Sequence, residues 1–305
     1  MNLESINKAF SLSDTLTFIE GEGGLPMASI RNAKGSALIS LYAGQVLQYQ
    51  RHADEHGLLF LSSQSAYQGG KAIRGGVPIC WPWFGADPEG LGRANHGFAR
   101  TRNWSVISTQ ALDDGETELV LGMDADAQTR EIWPHDFALR LRITVGDSLR
   151  MSLQTRNTGE HDFVISQALH TYFEIGDVQR ARVLGLDGLA YIDKALGGVR
   201  GQQDGELSID REIDRIYQHS SKQPGNELVL QDDALKRRVR ISSSGSRTSV
   251  VWNPWRELTA SMADLGDEDY RRMLCVETAN AADDVVSLQP GEQHELSVVY
   301  RLEAC

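Results

Sequence analysis

The chain has 305 residues, 41% of them hydrophobic, and a formal net charge of −12. That length can bury a large core, and all-β folds of this size commonly form one unit. The acidic balance argues against nucleic acid or an anionic membrane as partner, since both demand clustered lysine and arginine; an anionic small molecule would need a local basic pocket.

Met1 to Phe10 carries no basic segment followed by an apolar stretch, so no signal peptide is expected. No window approaches the ~18 apolar residues of a membrane helix, and a cytoplasmic protein is the expectation. Cys80, Cys275 and Cys305 are too few and too scattered for a disulfide framework or a zinc knuckle, which predicts reduced thiols.

The first unusual stretch is Gly69 to Gly85, GGKAIRGGVPICWPWFG, where glycine, proline and tryptophan crowd together around Arg74. Glycine permits close backbone approach and proline fixes the path, so a rigid loop is one reading. The tryptophans also suggest platforms for the apolar faces of sugar rings. Asn95 to Arg100, NHGFAR, follows; its histidine could be a base, a ligand or an ordinary structural residue.

Strand patterns then dominate. Leu119 to Gly122 is short. Phe137 to Val145, FALRLRITV, alternates apolar and polar residues with the period of a half-buried strand. Gly146-Asp147 supplies a turn into a second alternating run, Leu149 to Thr155, which predicts a hairpin. Phe163 to His170 reads as one strand ending in LHTYF. It would place His170 on a face with Val164, Ser166 and Ala168, small enough to leave room for a ligand. Gly197 to Gly205 reads as a loop between strands. Val239 to Ser243 and Thr248 to Trp252 are further strands, and a short helix is expected over Trp255 to Asp264 after Pro254. Met273 to Val276 is a buried apolar run leading to Glu277, whose carboxylate must pair with a cation or rise in pKa. His294 to Leu302 would close the sheet. Many strands joined by Gly/Asp turns, with few short helices, predict an all-β sandwich in a single domain over 1–305.

Six segments in this order, RGGVP with WPWFG, NHGFAR, LHTYF, EIDRIY at Glu212 to Tyr217, VVWNPW at Val250 to Trp255, and CVETAN, resemble the hexose-6-phosphate mutarotases (glucose-6-phosphate 1-epimerases) of the galactose-mutarotase-like superfamily. The resemblance implies a β-supersandwich with the site on one concave face. It implies His170 and Glu277 as the catalytic pair, and Arg74, Arg100 and Asp214 as substrate-binding residues. Asn95 falls where the family often has Gln, with a reach one methylene shorter, and His96 matches a position near the sugar. Glu277 would act as base at the C1 hydroxyl and His170 as acid at the ring oxygen, with no cofactor or metal. Arg74 and Arg100 would form the basic pocket for a small-molecule sugar phosphate, and the family suggests a monomer. A neutral-sugar aldose 1-epimerase would not need the two arginines, and a carbohydrate-binding sandwich would not need the His170–Glu277 pair. A glycosidase calls for two site carboxylates, of which only Glu277 stands out, with Asp214 as a second candidate. A metal-dependent isomerase would need several converging His, Asp or Glu ligands.

Overall fold

The computed structural model describes residues 2–219 and 226–304. Met1 and Cys305 lie outside the described residues. Antiparallel strands dominate, arranged among the described residues in two large sheets with two smaller ones beside them.

The first large sheet has nine strands. It includes the pair Phe137–Val145 and Leu149–Asn157, joined by the expected Gly146-Asp147 turn and paired from Phe137↔Asn157 to Val145↔Leu149. Their alternation has the predicted consequence: Phe137, Leu139, Leu141, Ile143 and Val145 are all buried. The C-terminal strand Gln293–Ala304 does not close this sheet as expected. It lies inside it, between Leu149–Asn157 and Arg237–Ser244. Its alternating Leu296, Val298, Tyr300 and Leu302 give it a full apolar face to bury, which suits a central position.

The second large sheet has eight strands and carries the site. In spatial order it runs through Val199–Gln202, Ala190–Asp193, Ile213–Gln218, Thr248–Asn253, Met273–Asn280, Gln167–Leu169 and Ile79–Cys80, with Tyr172–Glu174 also pairing with Met273–Asn280. Val199–Gln202 falls within the stretch expected to be loop; it is an edge strand, antiparallel to Ala190–Asp193. The strand expected over Phe163 to His170 is broken at Ser166, whose N–H bonds Pro82 O. Phe163–Ile165 pairs with Val286–Leu288 in a small sheet, and only Gln167–Leu169 joins the large one. The break lets one short segment serve two sheets, and periodicity alone does not report it.

Strand Met273–Asn280 is buried along its whole length. One face, including Leu274 and Val276, enters the main core between the sheets. The other carries Cys275, Glu277 and Ala279, beside Ala168 and Cys80 from neighbouring strands. Cys80 and Cys275 are buried free thiols, both raised in pKa by burial. Helices are few and short: Leu3–Phe10, Ala127–Ile132 and Trp255–Ala260, the last ending one turn before the expected limit. No helix among the described residues is long and apolar enough to cross a membrane.

Trp81 ties the loop Gly69 to Gly85 to the core. Fully buried, it packs against Phe98, Trp133 and Phe137, and its indole N–H donates to Thr155 Oγ1 at 3.0 Å. Trp83 is also buried, under the Arg93 guanidinium at 4.4 Å. Neither tryptophan is free to serve as a sugar platform. Trp81→Ala is expected to lower the unfolding free energy by about 3–5 kcal/mol, through lost apolar contact and an unfilled cavity. Urea denaturation checks this; a loss below about 1 kcal/mol would mean that Trp81 does not anchor the loop.

Candidate active site

Loops and strand ends converge on one side of the eight-stranded sheet around a cavity of about 240 Å³. Its polar lining includes Arg74, Asn95, His96, Arg100, His170, Asp214 and Glu277, so all seven residues singled out in the sequence meet there. Phe84, Lys194, Trp252 and Met262 complete the lining, and none of these four was singled out. Trp252 stands opposite Asp214 in the strand pairing, and both point into the cavity. Grooves of about 500 and 610 Å³ elsewhere are larger but bring no histidine together with a carboxylate.

His170 follows the strand Gln167–Leu169, its N–H donating to Pro78 O at 3.0 Å. Its ring stacks on Tyr172 with centroids 4.9 Å apart and planes 11° from parallel. Trp252 and His96 meet it edge-on at 5.9 and 5.7 Å. Three aromatic contacts therefore fix the imidazole plane. Glu277 is 2% exposed, and its Oε1 lies 3.4 Å from His170 Nδ1. That approach is too long and too poorly aligned to count as a hydrogen bond: among the described residues His170 Nδ1 and Glu277 Oε2 find no partner.

The electrostatic consequence is severe. Burial, reinforced by the charge of Asp214, pushes the Glu277 carboxyl well above the usual range. Burial, reinforced by His96, Arg100 and Arg74, pushes His170 well below its ordinary value. The two shifts run the same way: they disfavour the ion pair that the distance alone suggests and favour a carboxylic acid beside a neutral imidazole.

His96 has positive φ (65°), and its neighbour Gly97 (φ 71°) lies so close to Trp81 that a Cβ there would sit 2.0 Å from Trp81 O. The buried loop thereby holds the histidine in place. His96 Nδ1 accepts from the Gly85 N–H at 3.2 Å, and burial lowers its pKa to about 3. The ring is neutral, with Nε2 carrying the proton as a donor.

The cations differ in how they are held. Arg74 donates from Nε and Nη2 to Asp264 Oδ2 at 3.0 and 2.9 Å, and from Nη1 to Tyr172 Oη at 2.9 Å. Arg100 donates to Asn95 O at 2.9 Å and has no carboxylate partner among the described residues. Lys194 Nζ lies 3.2 Å from Asp214 Oδ2, near the Phe84 ring. Asn95 is exposed at the rim, and that carbonyl bond is the contact it makes with the basic wall.

His52 and His56 stand four residues apart, but in a turn after the strand Gln45–Arg51, with His52 Nε2 on Asn32 O at 2.8 Å. Among the described residues no three His, Cys, Asp or Glu side chains converge as a metal site.

Residues 26–301 match the sequence profile of the aldose 1-epimerases. The chain belongs to the aldose 1-epimerase family. Its reaction class is therefore anomer exchange in a sugar. A protein of Escherichia coli, provisionally named a glucose-6-phosphate 1-epimerase, is 34% identical over 261 residues, covering 85% of this chain and 84% of its own. One from Cenchrus ciliaris, under the same provisional name, is 34% identical over 285 residues, 90% of this chain and 84% of that protein. The crystal structure of a Salmonella typhimurium protein described provisionally as a mutarotase superposes with a TM-score of 0.88 at 29% identity, covering 99% of this chain and all of that one. A galactose mutarotase-like protein from Clostridium acetobutylicum shares the fold at a TM-score of 0.71 and 13% identity.

A buried acid with a raised pKa lowers stability once the unfolded chain can ionise and the folded one cannot. Below the ordinary carboxylate value of 4.5 both states hold the proton, and no difference arises. As pH rises from there towards the raised pKa of folded Glu277, the wild-type protein loses stability that Glu277→Gln keeps. The melting temperature of the variant minus that of the wild type should therefore grow as pH rises above 4.5. A difference that is flat, or that shrinks with pH, would mean that Glu277 ionises normally in the fold.

Proposed function

We propose that the enzyme interconverts the α and β anomers of a hexose 6-phosphate, with glucose 6-phosphate the principal substrate. The observation that carries this reading is a buried His170–Glu277 pair, 3.4 Å apart, in a cavity that also collects Arg74, Arg100 and Lys194. The first feature suits proton transfer at a sugar C1; the second suits an anionic sugar in a protein whose net charge is negative. The names given to the E. coli and Cenchrus ciliaris relatives support the same substrate.

Ring opening needs one group to take the C1 hydroxyl proton and another to protonate the ring oxygen. Both oxygens are bonded to one carbon, so the two groups must stand close together, as His170 and Glu277 do. Glu277 as carboxylate accepts the hydroxyl proton; the C1–O1 bond becomes a carbonyl, the bond from C1 to the ring oxygen breaks, and His170 as imidazolium protonates that oxygen. Rotation about C1–C2 presents the other carbonyl face, and the same transfers run backwards to close the ring.

Burial of the pair favours its other proton arrangement, acid and neutral imidazole, which is the arrangement left after ring opening. Both arrangements carry one proton in all, so substrate need only move it. A phosphoryl dianion near Arg100 and Arg74 offsets two of the charges that depress His170. Sugar hydroxyls donating to Glu277 and to Asp214 favour the ionised Glu277 carboxylate. Asp214, raised in pKa chiefly by burial, and neutral His96 then serve as acceptor and donor for hydroxyls, with Asn95 at the rim.

His170→Ala and Glu277→Gln should each reduce accelerated anomerisation of glucose 6-phosphate by ~10²–10⁴-fold. Exchange NMR between the anomeric protons, corrected for the spontaneous rate, measures this. A near-normal rate in either variant would remove that residue from the mechanism.

A further inference from the structure

The three cations of the cavity are not equally available to an anion. Arg74 already donates from all three of its nitrogens, and turning it away would strip the buried Tyr172 hydroxyl and Asp264 of their partner. Arg100 is held only by a backbone carbonyl. Lys194 is held by one contact of 3.2 Å, longer than a strong charge-assisted bond, and its side chain is 41% exposed. With its lysine end reaching solvent and a single long contact, such a pair can exchange partners.

The fold nevertheless places Lys194 with care. Asp193 and Arg215 are paired across two neighbouring strands, and their buried side chains bond at 2.8 Å. Arg215 also covers the Tyr191 ring at 4.3 Å. The next residue along one strand and the preceding one along the other, Lys194 and Asp214, are tied by the Lys194 N–H to Asp214 O bond at 2.7 Å and present their side chains to the cavity. A buried ion pair on one side thus fixes the register that brings a second, exchangeable pair to the other.

We propose that Lys194 is a specificity-determining residue of this site: on binding it leaves Asp214 for the substrate's phosphoryl group, which it holds together with Arg100. The proposal rests on the hexose 6-phosphate reading above. Two full cations then face a dianion, while Arg74 stays on Asp264 and positions Tyr172 beneath His170. The exchange has a second effect. It frees the Asp214 carboxylate for sugar hydroxyls only when a phosphoryl group is present to take the lysine. A neutral sugar must compete with Lys194 for the same acceptor, so one residue favours the phosphorylated sugar and disfavours the free one.

The test compares wild type, Lys194→Met and Lys194→Arg by exchange NMR on glucose 6-phosphate and on glucose, with inorganic phosphate as competitive inhibitor. The ratio of kcat/KM for glucose 6-phosphate to that for glucose should fall roughly 10–100-fold in Lys194→Met, with a parallel weakening of phosphate inhibition. Lys194→Arg, which keeps the charge, should recover most of both. A merely structural role would not separate the two sugars. If Lys194→Met keeps the wild-type ratio and the wild-type phosphate inhibition, the proposal is wrong while the hexose 6-phosphate reading stands. If the wild-type enzyme itself shows no preference for the phosphorylated sugar, both fall, and the wild-type arm alone reveals it.

Discussion

The site depends on a carboxyl group buried without a hydrogen-bond partner for one of its oxygens. Glu277 issues from a strand with no exposed residue, and the neighbours on its own face are Cys275 and Ala279, which offer no strong donor. So buried, the carboxyl is driven to hold its proton. His170, equally enclosed, is driven to give its proton up. Each group alone would be a destabilising burial. Side by side they share one proton, which these surroundings bias towards Glu277, and on the proposed mechanism a polar ligand shifts it. On the proposed mechanism stability is given up here for reactivity, in keeping with the general trade-off between the two.

The rest of the architecture serves to hold that pair still and to surround it with charge. Tyr172 lies under the imidazole, and Arg74, clamped by Asp264, bonds the Tyr172 hydroxyl. Arg74 therefore acts on His170 twice: through the stacked ring and through its field. On the opposite wall the Asp193–Arg215 pair sets the register of Lys194 and Asp214. Trp81 anchors the loop that carries Arg74 and Phe84 and backs His96 through Gly97. The anchors are tied by packing or by charged hydrogen bonds, whereas Arg100 and Lys194, which face the cavity, are each held by one contact. Rigid support behind exchangeable contacts is what pre-organised acid–base chemistry requires.

Much of this was legible in the sequence, for identifiable reasons. Alternation over Phe137 to Val145 and Leu149 to Thr155 gave that hairpin with its turn, because one face is buried and register follows the pattern. The seven site residues were legible chiefly through the resemblance of their segments to the hexose-6-phosphate mutarotases, and they converge on one cavity. What escaped depends on contacts between distant segments. Asp264 meets Arg74 across 190 positions. Lys194 is one lysine in a hairpin until the pairing of its strand with Ile213–Gln218 is known, although the adjacent opposite charges in Asp193-Lys194 and Asp214-Arg215 hint at it. Trp81 and Trp83 misled in the other direction: composition suggested sugar platforms, and packing made them core. The break at Ser166 was invisible because apolar and small residues alternate straight through it.

The account turns on where the single proton of the pair resides. Carbon-13 NMR of the Glu277 carboxyl carbon, assigned by its loss in Glu277→Gln, reads this directly. At neutral pH the empty protein should show Glu277 protonated, and saturation with glucose 6-phosphate should move its signal towards the ionised position. A Glu277 carboxylate already ionised in the empty site, or one indifferent to the sugar phosphate, would contradict the account.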